Sequence, residues 1–241
     1  MTRRTRSKGS ELPAGAAPNT DAMTLDVDIA HKLIREIIAT EHLPGSWLRE
    51  QDIAERFNVS RSPVRDALRH VAKAGFVVMH PWRGAQVVEL SEETTRQIFD
   101  LLESLYGVVA RLAAQTMPVE KMQRLQEYLV RGDVIAGPGH TRQDRVAFSF
   151  ELGRYIGKWG CEPKTYEVFT HVGNLAMWQH RFMETEDVFA RRSMEIHHVL
   201  VSSICARDGA KAEWAARAIV DLSRDRVFPQ LLEHGAKNPQ A

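Results

Sequence analysis

The stretch from Glu50 to Val88 changes its apolar period once, from helical to strand-like, and that change restricts the fold more than any other feature of the chain. EQDIAERF (50–57) places Ile53, Ala54 and Phe57 on one helical face. Asn58 follows, a residue that tolerates the left-handed conformation closing a helix. A second run then starts at Ser60 or Ser62, both good N-caps, and Pro63 is harmless in a first turn. Val64, Ala67, Leu68, Val71 and Ala72 form its buried stripe, and Gly75 stops it. Beyond Gly75 the period falls to that of strands: Phe76–Met79 and Gln86–Val88 flank a Pro/Gly turn and read as a hairpin. A further helix precedes them over about 26–41, with Ile29, Leu33, Ile34, Ile37 and Ile38 on one face and Pro44-Gly45 as its stop. Three helices and a hairpin in so short a span predict a winged helix-turn-helix.

From Ser91 onward the pattern is helical almost to the end. Ser91 caps a helix to about 116, and Glu92 and Glu93 suit its positive end. Further helices are expected over about 118–134, 142–158, 163–184, 191–206 and 209–234, with a break at Gly137-Pro138-Gly139. The expected fold is therefore mainly α: an N-terminal winged helix-turn-helix over 23–90 and a C-terminal all-α bundle over 91–236. Residues 1–22 are polar and aperiodic and read as a flexible arm. Arg3, Arg4, Arg6 and Lys8 within it serve either as a solvated tail or as phosphate contacts.

Composition narrows the function classes. Lys plus Arg is 32 and Asp plus Glu is 31, so any basic surface has to be local. No apolar run reaches the roughly 20 residues of a membrane helix. The basic N-terminus lacks the apolar core of a signal peptide. Cys161 and Cys205 have no CxxC spacing and read as reduced thiols of a cytoplasmic protein.

A local basic surface is present. Arg61, Arg65, Arg69 and Lys73 recur every four residues, which lines them up beside the buried stripe of the third helix. In a helix-turn-helix this element enters the major groove by its N-terminal end. Arg can pair with guanine O6 and N7, and Ser60 and Ser62 can reach a base or a phosphate. Taken alone the stripe could be a solvated face paired to acids such as Asp66. The preceding short helix, the Asn58 turn and the hairpin favour DNA.

At this point the sequence resembles the GntR family of bacterial transcription regulators. LPGSWLREQDIAERFNVSRSPVRDALRHVAKAGFV followed by RGAQV carries the likeness, with Gly45, Ile53-Ala54, Val59 to Arg65, Ala67-Leu68 and Gly84 at the patterned positions. The resemblance implies that Gln51, Arg61, Ser62 and Arg65 contact DNA and that the wing tip Arg83-Gly84 enters the minor groove. Family members often carry Arg in place of Gln51; a Gln there can read adenine. Trp82, also at the tip, either packs on the hairpin or inserts into the minor groove.

The helical half resembles the FadR-type, or FCD, effector domain, through the order of its elements, LLESLYGVVARLAA and EIHHVLVSSICARDGAKAEWA. Many such domains hold a divalent metal with one Asp and three His. Aligned on His197, the other three positions fall on Ser149, Gly153 and Ile219, so the chain departs from that pattern at three of four ligands, and neither the metal nor another cofactor is expected here. Leu102 and Tyr106 replace a charged pair common in the first effector helix. A cavity lined by Leu102, Tyr106, Ser149, Gly153, His197 and Ile219 would suit an apolar or aromatic effector with few charges. His171 and Arg181 could meet one negative group on it.

The resulting expectation is a ligand-responsive repressor that binds a pseudo-palindromic double-stranded operator as a homodimer, in the cytoplasm and away from membranes. An architectural DNA binder with a filled bundle and no effector is the alternative. No GxSxG, HExxH, P-loop or GxGxxG pattern supports an enzyme.

Overall fold

A computed structural model describes residues 24–182 and 188–235. The N-terminal arm lies outside them. Chain order is α1 (Leu25–Ile38), β1 (Trp47–Leu48), α2 (Glu50–Phe57), α3 (Arg61–Lys73), β2 (Val77–His80), β3 (Gly84–Val87), α4 (Glu92–Thr116), α5 (Val119–Ala136), α6 (Arg142–Gly160), α7 (Pro163–His180), α8 (Val188–Cys205) and α9 (Gly209–Gly235). This is a winged helix-turn-helix followed by a helical bundle.

Local chemistry sets most of the boundaries. Asn58 adopts φ 53° and ψ 51° and closes α2 as a left-handed cap. Ser60, not Ser62, is the N-cap residue of α3. The Ser91 hydroxyl accepts from the Thr94 N–H at the start of α4, and Thr141 and Asp144 form a reciprocal capping box on α6. Helix α1 stops at Ile38, earlier than Pro44-Gly45 would require. Thr40 takes φ 64°, and the Glu41 N–H bonds the Glu36 carbonyl, a Schellman closure on a β-branched residue that sequence patterns rarely flag.

The wing carries a strand absent from the sequence reading. Leu48 pairs with Ala85 and Trp47 with Gln86, so the sheet order is β1-β3-β2, all antiparallel. Two residues are too few for a periodic signal. The third strand explains Gly84: a Cβ there would lie 2.6 Å from the Leu48 carbonyl oxygen, and its φ is +100°.

Two cores result. One joins α1, α2, α3 and the sheet through Leu33, Ile37, Leu68, Val71 and Phe76. The other fills the bundle, where α4 runs centrally against α6, α7, α8 and α9. Helix α7 belongs to both. Its Phe169, Val172 and Ala176 pack in the bundle, whereas Trp178 is buried in the first core with Leu175, Met177 and Phe182 around it. The helix ends at His180, four residues before the sequence expectation. Arg142 of α6 donates to the His180 carbonyl at 2.9 Å, which satisfies a terminal acceptor, and the turn brings Phe182 edge-on to Trp178.

Candidate functional site

The first candidate site is the exposed face of α3 with α2 and the wing. The buried stripe Val64, Ala67, Leu68 and Val71 fixes the roll of α3 and leaves Arg61, Ser62, Arg65 and Arg69 exposed on the other side. Ser60 sits exposed at the N-terminus of α3 and makes no side-chain cap bond, so its hydroxyl is available there. Arg65 donates Nε to Glu50 Oε1 and Nη2 to Glu50 Oε2, both at 2.8 Å. That two-pronged bond holds the Glu50 carboxyl below its ordinary range and raises the Arg65 guanidinium further. Arg61 donates to Gln51 Oε1 at 2.9 Å while Gln51 Nε2 donates to Glu55 at 3.0 Å. Both ends of the Gln51 amide are thus engaged within the protein, and reading a base requires that they exchange partners. Arg69 is paired to Asp66 at 2.8 Å. Glu50 escaped sequence reasoning, because a contact across the turn leaves no helical spacing.

At the wing, Arg83 is exposed and its N–H bonds the His80 carbonyl in the turn, next to Gly84. Trp82 does not pack on the hairpin: its side chain is wholly exposed, with φ 67°. Exposed salt bridges such as these contribute little to stability, so phosphates and base edges can replace them at small cost.

The second candidate site is a cavity of about 140 Å³ in the bundle, lined by α4, α6, α7, α8 and α9. Leu102, Tyr106, Ser149, Gly153 and Ile219 all line it. Tyr106 stacks on Phe169, ring centroids 5.5 Å apart. Gly153 supplies the space: a Cβ there would contact both rings at 3.5–3.6 Å. His197 is fully buried one layer behind the lining. Its Nδ1 donates to the Ser193 carbonyl at 2.7 Å, which leaves Nε2 to accept from the Ser149 hydroxyl at 3.1 Å. Burial keeps the ring neutral, with its pKa lowered to about 4.

The structure separates His171 and Arg181 from this group. His171 is exposed on the opposite face of α7. The α7 face toward the cavity carries Phe169, Thr170, Gly173 and Asn174, and His171 falls outside that stripe. Arg181 lies past the helix end and donates to Gln143 at 3.0 Å. In their place the cavity presents Arg142, Arg145 and Arg154 of α6 and His180 of α7. Arg142 donates to His180 Nδ1 at 2.7 Å, and burial beside that cation lowers the His180 pKa to about 4. The helical repeat of α6 was readable; which of its faces meets the cavity was not.

The residues do not fit the metal that related domains carry. Both nitrogens of His197 have protein partners, and Gly153 and Ile219 offer no ligand atom. Among the described residues no three His, Cys, Asp or Glu side chains come together. Cys161 and Cys205 are free thiols, and burial pushes Cys161 up to about 11. No helix among the described residues is long and apolar enough to cross a membrane.

A winged helix-turn-helix joined to this bundle defines a class of bacterial DNA-binding regulator. Residues 25–87 match the profile of the bacterial regulatory proteins of the gntR family, and residues 97–222 match the FCD domain. The chain belongs to the GntR family of transcriptional regulators and carries an FCD domain. It is 33% identical over 97 residues to the HTH-type transcriptional repressor RspR of Escherichia coli, a match spanning 40% of this chain and 42% of that protein. It is 26% identical over 196 residues to the HTH-type transcriptional regulator LutR of Bacillus subtilis, covering 73% of this chain and 88% of LutR. The fold is shared with E. coli McbR/YncC, with a TM-score of 0.73 at 17% identity over 87% of this chain and 100% of that one. A GntR regulator from Rhodococcus shares it too, with a TM-score of 0.67 at 17% identity, over 85% of this chain and 97% of that one.

Proposed function

We propose that this regulator is a ligand-responsive repressor that acts in the cytoplasm, without catalysis, as a homodimer on a pseudo-palindromic operator. In this reading residues 23–90 bind DNA and residues 91–236 bind the effector and the second protomer. Two-fold symmetry would present two α3 helices to successive major grooves. Gln51, Ser60, Arg61, Ser62, Arg65 and Arg69 face the groove and phosphates, and Arg83-Gly84 the minor groove.

The observation that carries the reading is the double membership of α7. The middle of this helix lines the bundle cavity through Phe169 and Thr170, and its C-terminal turn both reaches the cavity with His180 and buries Trp178 in the core beneath α3. A ligand that displaces α7 therefore acts on the element that supports the DNA-binding helices. The cavity also counts against an architectural binder with a filled bundle.

The test is protection of the DNA upstream of the protein's own gene, with sedimentation of the complex. Protection of two half-sites about one helical turn apart by two protomers supports the reading. Uniform coating of unrelated DNA would favour the architectural binder.

A further inference from the structure

The polar groups of the bundle cavity are arranged for an anion, and this deepens the reading just given, on which it rests. The lining holds three arginines, Arg142, Arg145 and Arg154, and no Asp or Glu among the described residues. Arg154 lines the cavity with no hydrogen-bond partner among the described residues; the nearest carboxylate it acts on is that of Glu151, one turn earlier, which is itself bonded to Arg131. Tyr106 is 95% buried by its 5% exposure, and its hydroxyl has no partner. The Thr170 hydroxyl, also shielded from water, has none either. A buried hydroxyl without a partner is costly, so two of them in the lining of one cavity, from α4 and α7, mark where a ligand's acceptor atoms belong. Desolvation raises the Tyr106 pKa, so the phenol stays protonated and donates.

The rest of the lining sets the body of the ligand. Phe99, Leu102, Phe169, Ile219 and Val220 are apolar, and the stacked Tyr106–Phe169 pair offers flat ring faces. An apolar cavity of roughly 150 Å³ holds a benzene ring, and this one measures about 140 Å³. A di- or tricarboxylate would leave a second charge against that apolar wall, and no metal site is present among these residues to collect it. We propose that the effector is an aromatic monocarboxylate, bound without a metal, with its ring on the Tyr106–Phe169 side and its carboxylate on Arg154 and the Tyr106 and Thr170 hydroxyls.

The experiment uses the full-length, chelator-treated protein and four probes: benzoate, phenylacetate, benzamide and citrate. Binding is followed by calorimetry and by the shift in melting temperature. Benzoate or phenylacetate should bind about ten- to a hundredfold more tightly than benzamide, because charge-assisted hydrogen bonds are lost with the carboxylate. Citrate should not bind, with or without added Zn²⁺ or Ni²⁺. Arg154→Met should keep the ligand-free melting temperature and lose that preference for the acid. Arg154→Lys should recover part of it and serves if the Met variant is unstable. Tyr106→Phe, which keeps the ring, should weaken benzoate several-fold more than benzamide.

Equal affinity for benzoate and benzamide overturns the proposal. So does unchanged benzoate affinity in both Arg154 variants, or no binding of either aromatic acid. The regulator reading fails separately. Benzoate binding that leaves operator affinity unchanged defeats that reading and leaves the ligand chemistry standing. Operator release by a neutral compound, with no acid bound, does the reverse.

Discussion

Phe76, at the start of the wing hairpin, and Trp178, near the end of α7, pack edge to face with ring centroids 6.0 Å apart and planes at 69°. Both side chains are about 1% exposed, so this contact sits in the middle of the DNA-binding core although one partner comes from the bundle. Two turns of α7 upstream, Phe169 and Thr170 line the cavity. Trp178→Ala should cost about 3–5 kcal/mol, as large aromatic truncations in a core do. The milder Trp178→Phe should stay folded and bind operator, yet respond less to ligand, since the lever between the sites is shortened. Operator titrations with and without benzoate check this; an unchanged ligand effect in Trp178→Phe removes the contact from the coupling route.

Arg65→Ala should abolish specific operator binding and leave the fold intact. Arg65 is exposed, and among the described residues its hydrogen bonds go to Glu50 across the turn, so its loss removes no core contact. A lost bidentate base contact is worth roughly 1–3 kcal/mol per half-site, and a dimer loses it twice. Glu50→Ala tests the other partner. It should lower specificity by raising affinity for random DNA, because a negative charge near the phosphates is gone and the Arg65 guanidinium no longer has to exchange a carboxylate for the DNA. Unchanged base preference in both variants would take Arg65 out of the groove.

How far the sequence leads can be seen at the same residues. The stripes of α3, the Asn58 cap and the stop at Gly75 are local, and local chemistry writes them into the sequence directly. The change of period near residue 90 is equally plain. Trp178 was not legible as part of the first core, since an amphipathic helix records which face is buried and not against what. The same gap sent His171 to the cavity in the sequence reading and hid Arg154 and Thr170. On α7, residues 169, 170 and 173 share the inward face, and 171 lies across from them; only the packing of α7 on α4 and α6 decides which of these faces is the inner one. Glu50 was hidden for a related reason, its partner lying across a turn rather than along a helix.

Ile219→Phe should partly fill the cavity. Ile219 lines it from α9 and is 7% exposed. Added volume in a packed site costs roughly 1–3 kcal/mol, and a neighbouring void lowers that. The expected variant binds operator normally and no longer releases it with ligand. Loss of operator binding together with the ligand response would show that the DNA-binding half feels this position directly.

Protein purified without a polyhistidine tag should contain far less than one equivalent of Zn, Ni or Mn, and chelators should leave its melting temperature unchanged. His197 spends both ring nitrogens on Ser193 and Ser149, so a metal would have to break a buried hydrogen bond to reach it. One tightly held equivalent by elemental analysis, with destabilisation on chelation, would mean that other side chains have built a different centre.

Stability should fall as the pH drops from about 6.5 toward 4, before most carboxylates titrate. His180 and His197 are buried and neutral, each with its pKa lowered from 6.5 to about 4. Well above pH 6.5 both are neutral in folded and unfolded chains alike, and they contribute no pH dependence. Between the two values the unfolded chain binds protons that the folded one refuses, so unfolding becomes easier as acid is added. Each histidine contributes a slope of at most about 1.4 kcal/mol per pH unit. For His180 the causes are burial and the adjacent Arg142 guanidinium, which donates to its Nδ1 and cannot give up its charge. Denaturant titrations at pH 7, 6, 5 and 4.5 measure the slope. His180→Asn should reduce it by about half, because His197 remains. A flat profile over this window, or an unchanged slope in His180→Asn, would mean that His180 takes up its proton without leaving the fold, with Arg142 swinging away to make room.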